Sequence, residues 1–165
     1  MAVYALGDLV PVIHPDAYVA PDATVIGQVE IGPESSIWPG AVLRGDTQRI
    51  RVGARTSIQD GVVVHVGTEL ETVIGSSCVV GHLAHLEGCV VEDGCLIGSG
   101  SVLLHKVLVR GGALVAAGAV VSPGTEVPAF ALAARGVIDH EPPQCSGHDD
   151  HEKGHACERV DEVTP

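Results

Sequence analysis

Aromatic residues make up only 2% of this 165-residue chain, Met and Trp occur once each, and nine lysines and arginines face 21 acids. With so few aromatics there is no platform on which bases could stack, and a formal net charge of −12 repels a phosphate backbone, so nucleic acid is not an expected partner. No apolar run approaches the ~18–20 residues that span a bilayer, which excludes a membrane helix. The five cysteines (Cys78, Cys89, Cys95, Cys145, Cys157) are odd in number and without CxxC spacing, so a disulfide framework is not expected. Residues 1–14 hold no basic region leading into a long apolar stretch, and a cytoplasmic location is the expectation.

What remains is aliphatic. Hydrophobic residues reach 45%, mean hydropathy is +0.31 and there are 21 glycines, enough for a core without disorder of the whole chain. Aliphatic residues recur every six positions. Ile13, Val19, Val25, Ile31, Ile37 and Leu43 form one run. After a three-residue insertion come Val52, Ile58 and Val64, and after a four-residue insertion Ile74, Val80 and Leu86. A five-residue step then leads to Val91, Ile97, Leu103, Val109, Val115 and Val121. A second, mostly small series precedes these by two residues, among them Ala23, Ser35, Ala41, Thr56, Thr72, Cys78, Ala84, Cys89, Cys95 and Ser101.

Side chains two apart on a strand share a face, so each unit is a short strand with one branched and one small residue turned inward. An α-helix would smear a six-residue period around its circumference, because six residues advance it by about 600°. The pattern predicts an all-β fold, a left-handed parallel β-helix over 1–128 with three strands to each triangular coil. Eighteen units make six coils. The period fades after Val121, and the Ala-rich stretch 129–138 is expected to form a short C-terminal helix. Residues 139–165 hold eight acids, two bases, four His, two Cys and three Pro, which predicts a flexible acidic tail.

A β-helix is a scaffold, so function has to come from its site. His65 follows Val64 and Glu87 follows Leu86, three units later, which is one coil. Both therefore point outward on one face about 4.8 Å apart, close enough to share a metal with bonds of roughly 2.0–2.2 Å. His82 belongs to the Val80 unit on the preceding face and cannot reach that ion within its own chain. A second subunit can bring its His82, giving three sites at the interfaces of a cyclic homotrimer. Two ligands from one chain and one from the next leave a fourth position open, as in catalytic zinc; iron or cobalt are the alternatives. His85 is outward on the same strand as Glu87 and stands as an alternative third ligand, a supporting partner or a plain surface histidine.

At these residues the chain resembles the γ-class carbonic anhydrase family of left-handed β-helix trimers. The matching stretches are Ile31-Gly32, Ser36-Ile37-Trp38-Pro39, Val42-Leu43-Arg44-Gly45-Asp46, Ser57-Ile58-Gln59-Asp60-Gly61, Val64-His65, Val80-Gly81-His82 with Ala84, and Gly88-Cys89. The resemblance implies zinc-dependent hydration of carbon dioxide to bicarbonate, with His65 and His82 as two of three ligand histidines. Glu87 stands where the family has the third, and a carboxylate gives the metal more charge than an imidazole, so activity is expected to be low at neutral pH and to climb in alkali. It further implies that Gln59 lies beside the reacting water and that Arg44, Asp46 and Asp60 are paired at the subunit interface, with bicarbonate binding the other role open to Arg44. The family's proton-shuttling acids are absent: Thr47 follows Asp46 and only eight residues separate His65 from Ile74, leaving Glu69 and Glu71 as substitutes.

Cys78, Cys89 and Cys95 fall in the inward series and read as core. In the tail, Cys145, His148, His151, His155 and Cys157 could capture metal weakly or simply be solvated. Two further functions suit the same scaffold: a hexapeptide-repeat acyltransferase using a histidine base, and a catalytically silent metal-binding trimer, which Glu87 favours.

Overall fold

The computed structural model describes residues 2–134 and 137–139. Among them every regular element is a strand, twenty in all, and no helix is long and apolar enough to cross a membrane. Most strands are only two residues long, because the chain turns at each corner of the prism and pairs with the strands one coil before and after it. Pairing is parallel throughout the coils, so the fold is a parallel β-helix.

The six-residue marks become three columns of stacked inward side chains. The first face carries Val3, Val25, Leu43, Val64, Leu86, Leu103 and Val121 in register. The second carries Ile13, Ile31, Val52, Ile74, Val91, Val109 and Val127. The third carries Val19, Ile37, Ile58, Val80, Ile97, Val115 and Ala133. Seven rungs on each face therefore replace the six coils expected. Ile58, Val80, Leu86 and Ile97 are wholly buried, as are the small residues between columns such as Ala41, Cys89 and Ala113. Polar members of the small inward series such as Thr56 and Ser35 are tied to backbone: Thr56 Oγ1 donates to Gly75 O at 2.6 Å and Ser35 Oγ to Gly53 O at 2.6 Å, whereas the buried Ser101 hydroxyl has no partner among the described residues. Such bonds satisfy hydroxyls that water cannot reach.

The helix expected over 129–138 is not formed. Leu132–Ala134 is a further strand of the third face, paired in parallel with Leu114–Val115, and Val137–Asp139 returns antiparallel against it. Pro123-Gly124 marks no end of the repeat but occupies a corner turn, and Phe130 has φ 59°, outside the helical range. An open rung at Val115 takes up Ala131 and Ala133 as its inward residues, so pairing overrides alanine's helical preference. The tail expected over 139–165 lies, beyond Asp139, outside the described residues.

Candidate metal centre

The outer surface of the first face is a stripe that is apolar apart from His85, with polar groups at both ends. Val42, Val63, His85, Val102 and Val120 stack in register along its middle. At the end leading to the second face, Arg44, His65 and Glu87 form a second ladder, also in register. His82 stands at the opposite end, on the corner joining the third face to the first, five residues before Glu87. One chain thus brings His65 and Glu87 together and holds His82 away from them. Among the described residues no three His, Cys, Asp or Glu side chains of one chain gather as a metal would require.

His65 lies between two carboxylates. Its Nδ1 is 3.3 Å from Glu87 Oε1 and its Nε2 is 3.0 Å from Asp46 Oδ1, while Arg44 pairs with Asp46 through Oδ2. Thr72, in the interior, donates to the His65 carbonyl and accepts from Gly88 N–H at 2.8 Å, fixing the backbone on both sides of the pair. His82 Nδ1 meets Asp60 Oδ2 at 3.1 Å, one rung below. Gln59, half-buried, stands on that rung beside Asp60. Glu87 also contacts His85 Nε2 through Oε2 and His105 Nε2 through Oε1, both at 3.3 Å. Burial alone would raise its carboxyl, but hydrogen bonds from His85 and His65 and the proximity of His105 outweigh that and hold it below the ordinary glutamate range. Asp46 behaves alike: burial opposes its charge, and His65 and Arg44 more than offset it.

These donors suit zinc. Imidazole nitrogen and carboxylate oxygen are accepted ligands, and in a tetrahedral site with bonds of roughly 2.0–2.1 Å neighbouring donors lie about 3.3–3.4 Å apart. The His65 Nδ1 to Glu87 Oε1 separation of 3.3 Å is that edge. A ligand histidine that gives its other ring N–H to a carboxylate is the usual metal-site arrangement, and Asp46 and Asp60 are placed to accept from His65 and His82.

A groove of about 700 Å³ opens beside the pair, lined among others by Asp46, His65, Glu69, Glu87, His105 and Lys106. Of the two acids considered for proton transfer, Glu69 reaches this groove, whereas Glu71 is tied to Arg51 at 2.6 Å. His105 is absent from the ligand set read from sequence. It follows Glu87 by eighteen residues, but the short step from Leu86 to Val91 makes that coil seventeen and puts Leu104 in phase instead. A usable signal was present: after Ile13 the only departures from six are the steps Leu43 to Val52, Val64 to Ile74 and Leu86 to Val91, and all fall on the corner that carries the groove.

A family model described as bacterial transferase hexapeptide (six repeats) matches residues 11–45 and 71–105. The crystal structure of a hexapeptide transferase family protein from Anaplasma phagocytophilum is 36% identical, with a TM-score of 0.77 over 79% of this chain and 77% of that one. The chain belongs to the bacterial transferase hexapeptide family. Within this family of hexapeptide-repeat proteins, the γ-class resemblance is matched by gamma carbonic anhydrase 2, mitochondrial, of Arabidopsis thaliana, 49% identical over 107 residues, or 61% of this chain and 38% of that protein. The carnitine operon protein CaiE of Escherichia coli O157:H7 is 43% identical over 104 residues, 63% of this chain and 53% of that protein. The chain thus spans about two fifths to one half of the length of these curated relatives.

Proposed function

We propose that this hexapeptide-repeat protein is a γ-carbonic anhydrase-like zinc trimer of the cytoplasm that interconverts carbon dioxide and bicarbonate at three sites, each shared by two subunits. The observation that carries the proposal is the division of donors across the first face, with His65 and Glu87 paired at one end and His82 held by Asp60 at the other. Apposing two copies along the apolar stripe brings the ends together. Its exposed members, Val63 at 39%, Val120 at 55% and the neighbouring Leu83 at 73%, are the side chains such contact would cover.

Zinc held by His65, Glu87 and a neighbour's His82 would supply the Lewis acidity that makes water nucleophilic near neutral pH. The protein's own part is positioning. Asp46 takes the Nε2–H of His65 and so presents Nδ1 to the metal; Asp60 takes the Nδ1–H of His82 and frees its Nε2. Arg44 neutralises Asp46 and keeps it from turning away. Gln59, on the rung below His82, offers an amide to a substrate oxygen, and Glu69 lines the groove by which protons and bicarbonate leave.

Elemental analysis of the purified trimer, which also separates zinc from iron or cobalt, combined with stopped-flow carbon dioxide hydration, tests this. We expect close to one metal per chain and hydration that increases with pH. Glu87→His should increase the neutral-pH rate by about tenfold or more, since imidazole donates less charge than carboxylate. Metal-free protein that transfers an acyl group from coenzyme A would favour the second reading, a transferase, which the name of the Anaplasma relative supports. Stoichiometric metal without hydration would leave a silent metal-binding trimer.

A further inference from the structure

Glu87 is held by more partners than a metal ligand alone explains. His65 approaches Oε1 from the rung below, His105 approaches the same oxygen from the following coil, and His85 reaches Oε2 from Glu87's own strand, each at 3.3 Å. His105 also occupies a prepared place. Its Cδ2 lies 2.8 Å from where a Cβ on Gly88 would stand and 3.2 Å from one on Gly67, so a side chain at either glycine would push the ring away.

We propose that His85 and His105 are positioning residues that clamp Glu87, and that the three together do the work of one ligand imidazole. This rests on the zinc reading above. A lone carboxylate ligand can rotate and offer either oxygen; the His85 ring bonded to Oε2 and the His105 ring set against Oε1 fix its plane and leave the lone pair nearest His65 Nδ1 for the metal. The hydrogen bond from His85 and the close approach of His105 draw charge out of the carboxylate, so Glu87 donates less than an unassisted glutamate. His85 is then a partner of Glu87 and not its substitute. Both rings are more than a third exposed, so truncating them opens no core cavity.

The test is zinc affinity of the assembled protein, by competition with a chromophoric chelator, together with the visible absorption of the cobalt-substituted form. His85→Ala and His105→Ala should each loosen zinc by about 10–100-fold and change the cobalt spectrum. His105→Gln, which keeps an N–H donor, should recover most of the loss. On a Glu87→Ala background neither alanine substitution should weaken binding further, a coupling that a general loss of structure would not produce. Glu87→Ala with weakened zinc but His85→Ala and His105→Ala unchanged overturns the clamp and leaves the metal site standing. Glu87→Ala with undiminished zinc overturns the site reading, and the clamp with it. Loss of zinc in His85→Ala that persists additively in the absence of Glu87 makes His85 a ligand and refutes its positioning role.

Discussion

Glu92, on the second face, shows how the outer side chains join successive coils. Its Oε2 accepts from Gly111 N–H at 2.9 Å and its Oε1 from Arg110 at 3.0 Å, while Arg110 also reaches Glu126 at 2.8 Å on the next rung. The Gly111 amide first, and then the Arg110 guanidinium, hold this carboxyl below the ordinary value of 4.5. A depressed carboxyl contributes stability that is complete above the unfolded value and vanishes as pH falls through the folded one. The melting temperature of Glu92→Gln should accordingly lie below that of wild type at pH 6, with the gap closing as pH falls beneath 4.5. A gap that stays constant into acid would mean that the charge contributes nothing. The Glu92–Arg110 pair obeys the phase of the repeat, since each follows an inward valine, Val91 and Val109, one coil apart; Arg110 with Glu126 does not, because Glu126 precedes its own inward Val127. Inward residues carry the period directly. Cys89, read as core from its place in the small series, is wholly buried, and burial pushes its thiol up to about 12.

At the scale of the strand, what was legible is what repeats. Ile58 and Val80 lie twenty-two residues apart yet stack directly, because the period survives the insertion between them. The C-terminal stretch was misread because Leu132–Ala134 is alanine-rich and its strand state depends on an open rung, a tertiary fact that local preference does not contain. The corners carry their own requirement. Gly32, Gly53 and Gly75 stack where the second face ends, and a Cβ on Gly53 would lie 2.6 Å from the carbonyl carbon of Gly75 and from Ser76 N. Both are backbone atoms, so adjacent coils would have to separate. Gly53→Ala should cost about 1–3 kcal/mol, read as a lower denaturant midpoint at unchanged slope. An unaltered midpoint would show that the corner yields freely.

For the whole molecule the decisive matter is whether a site belongs to one chain or to two. The phase of the repeat already separated His82 from His65 and Glu87, and the structure keeps them at opposite ends of the first face. Asp46 and Asp60, read as paired at the subunit interface, also have partners within the chain in His65 and His82; Asp46 lies in the inserted stretch between Leu43 and Val52 and Asp60 in the turn after Ile58, where the six-residue phase fixes no partner. Subunit sharing can be tested by complementation. If the proposed trimer forms, His82→Ala and Glu87→Ala should each bind zinc poorly on their own. When the two are unfolded together at equal concentration and reassembled, an intact site arises wherever a His82→Ala chain, contributing His65 and Glu87, meets an Glu87→Ala chain that contributes His82. Random assembly gives that meeting at about a quarter of the interfaces of the proposed cyclic trimer, so tight zinc binding should return to about a quarter of the wild-type stoichiometry. A site contained within one chain would regain nothing on mixing, because no single chain in the mixture carries all three ligands.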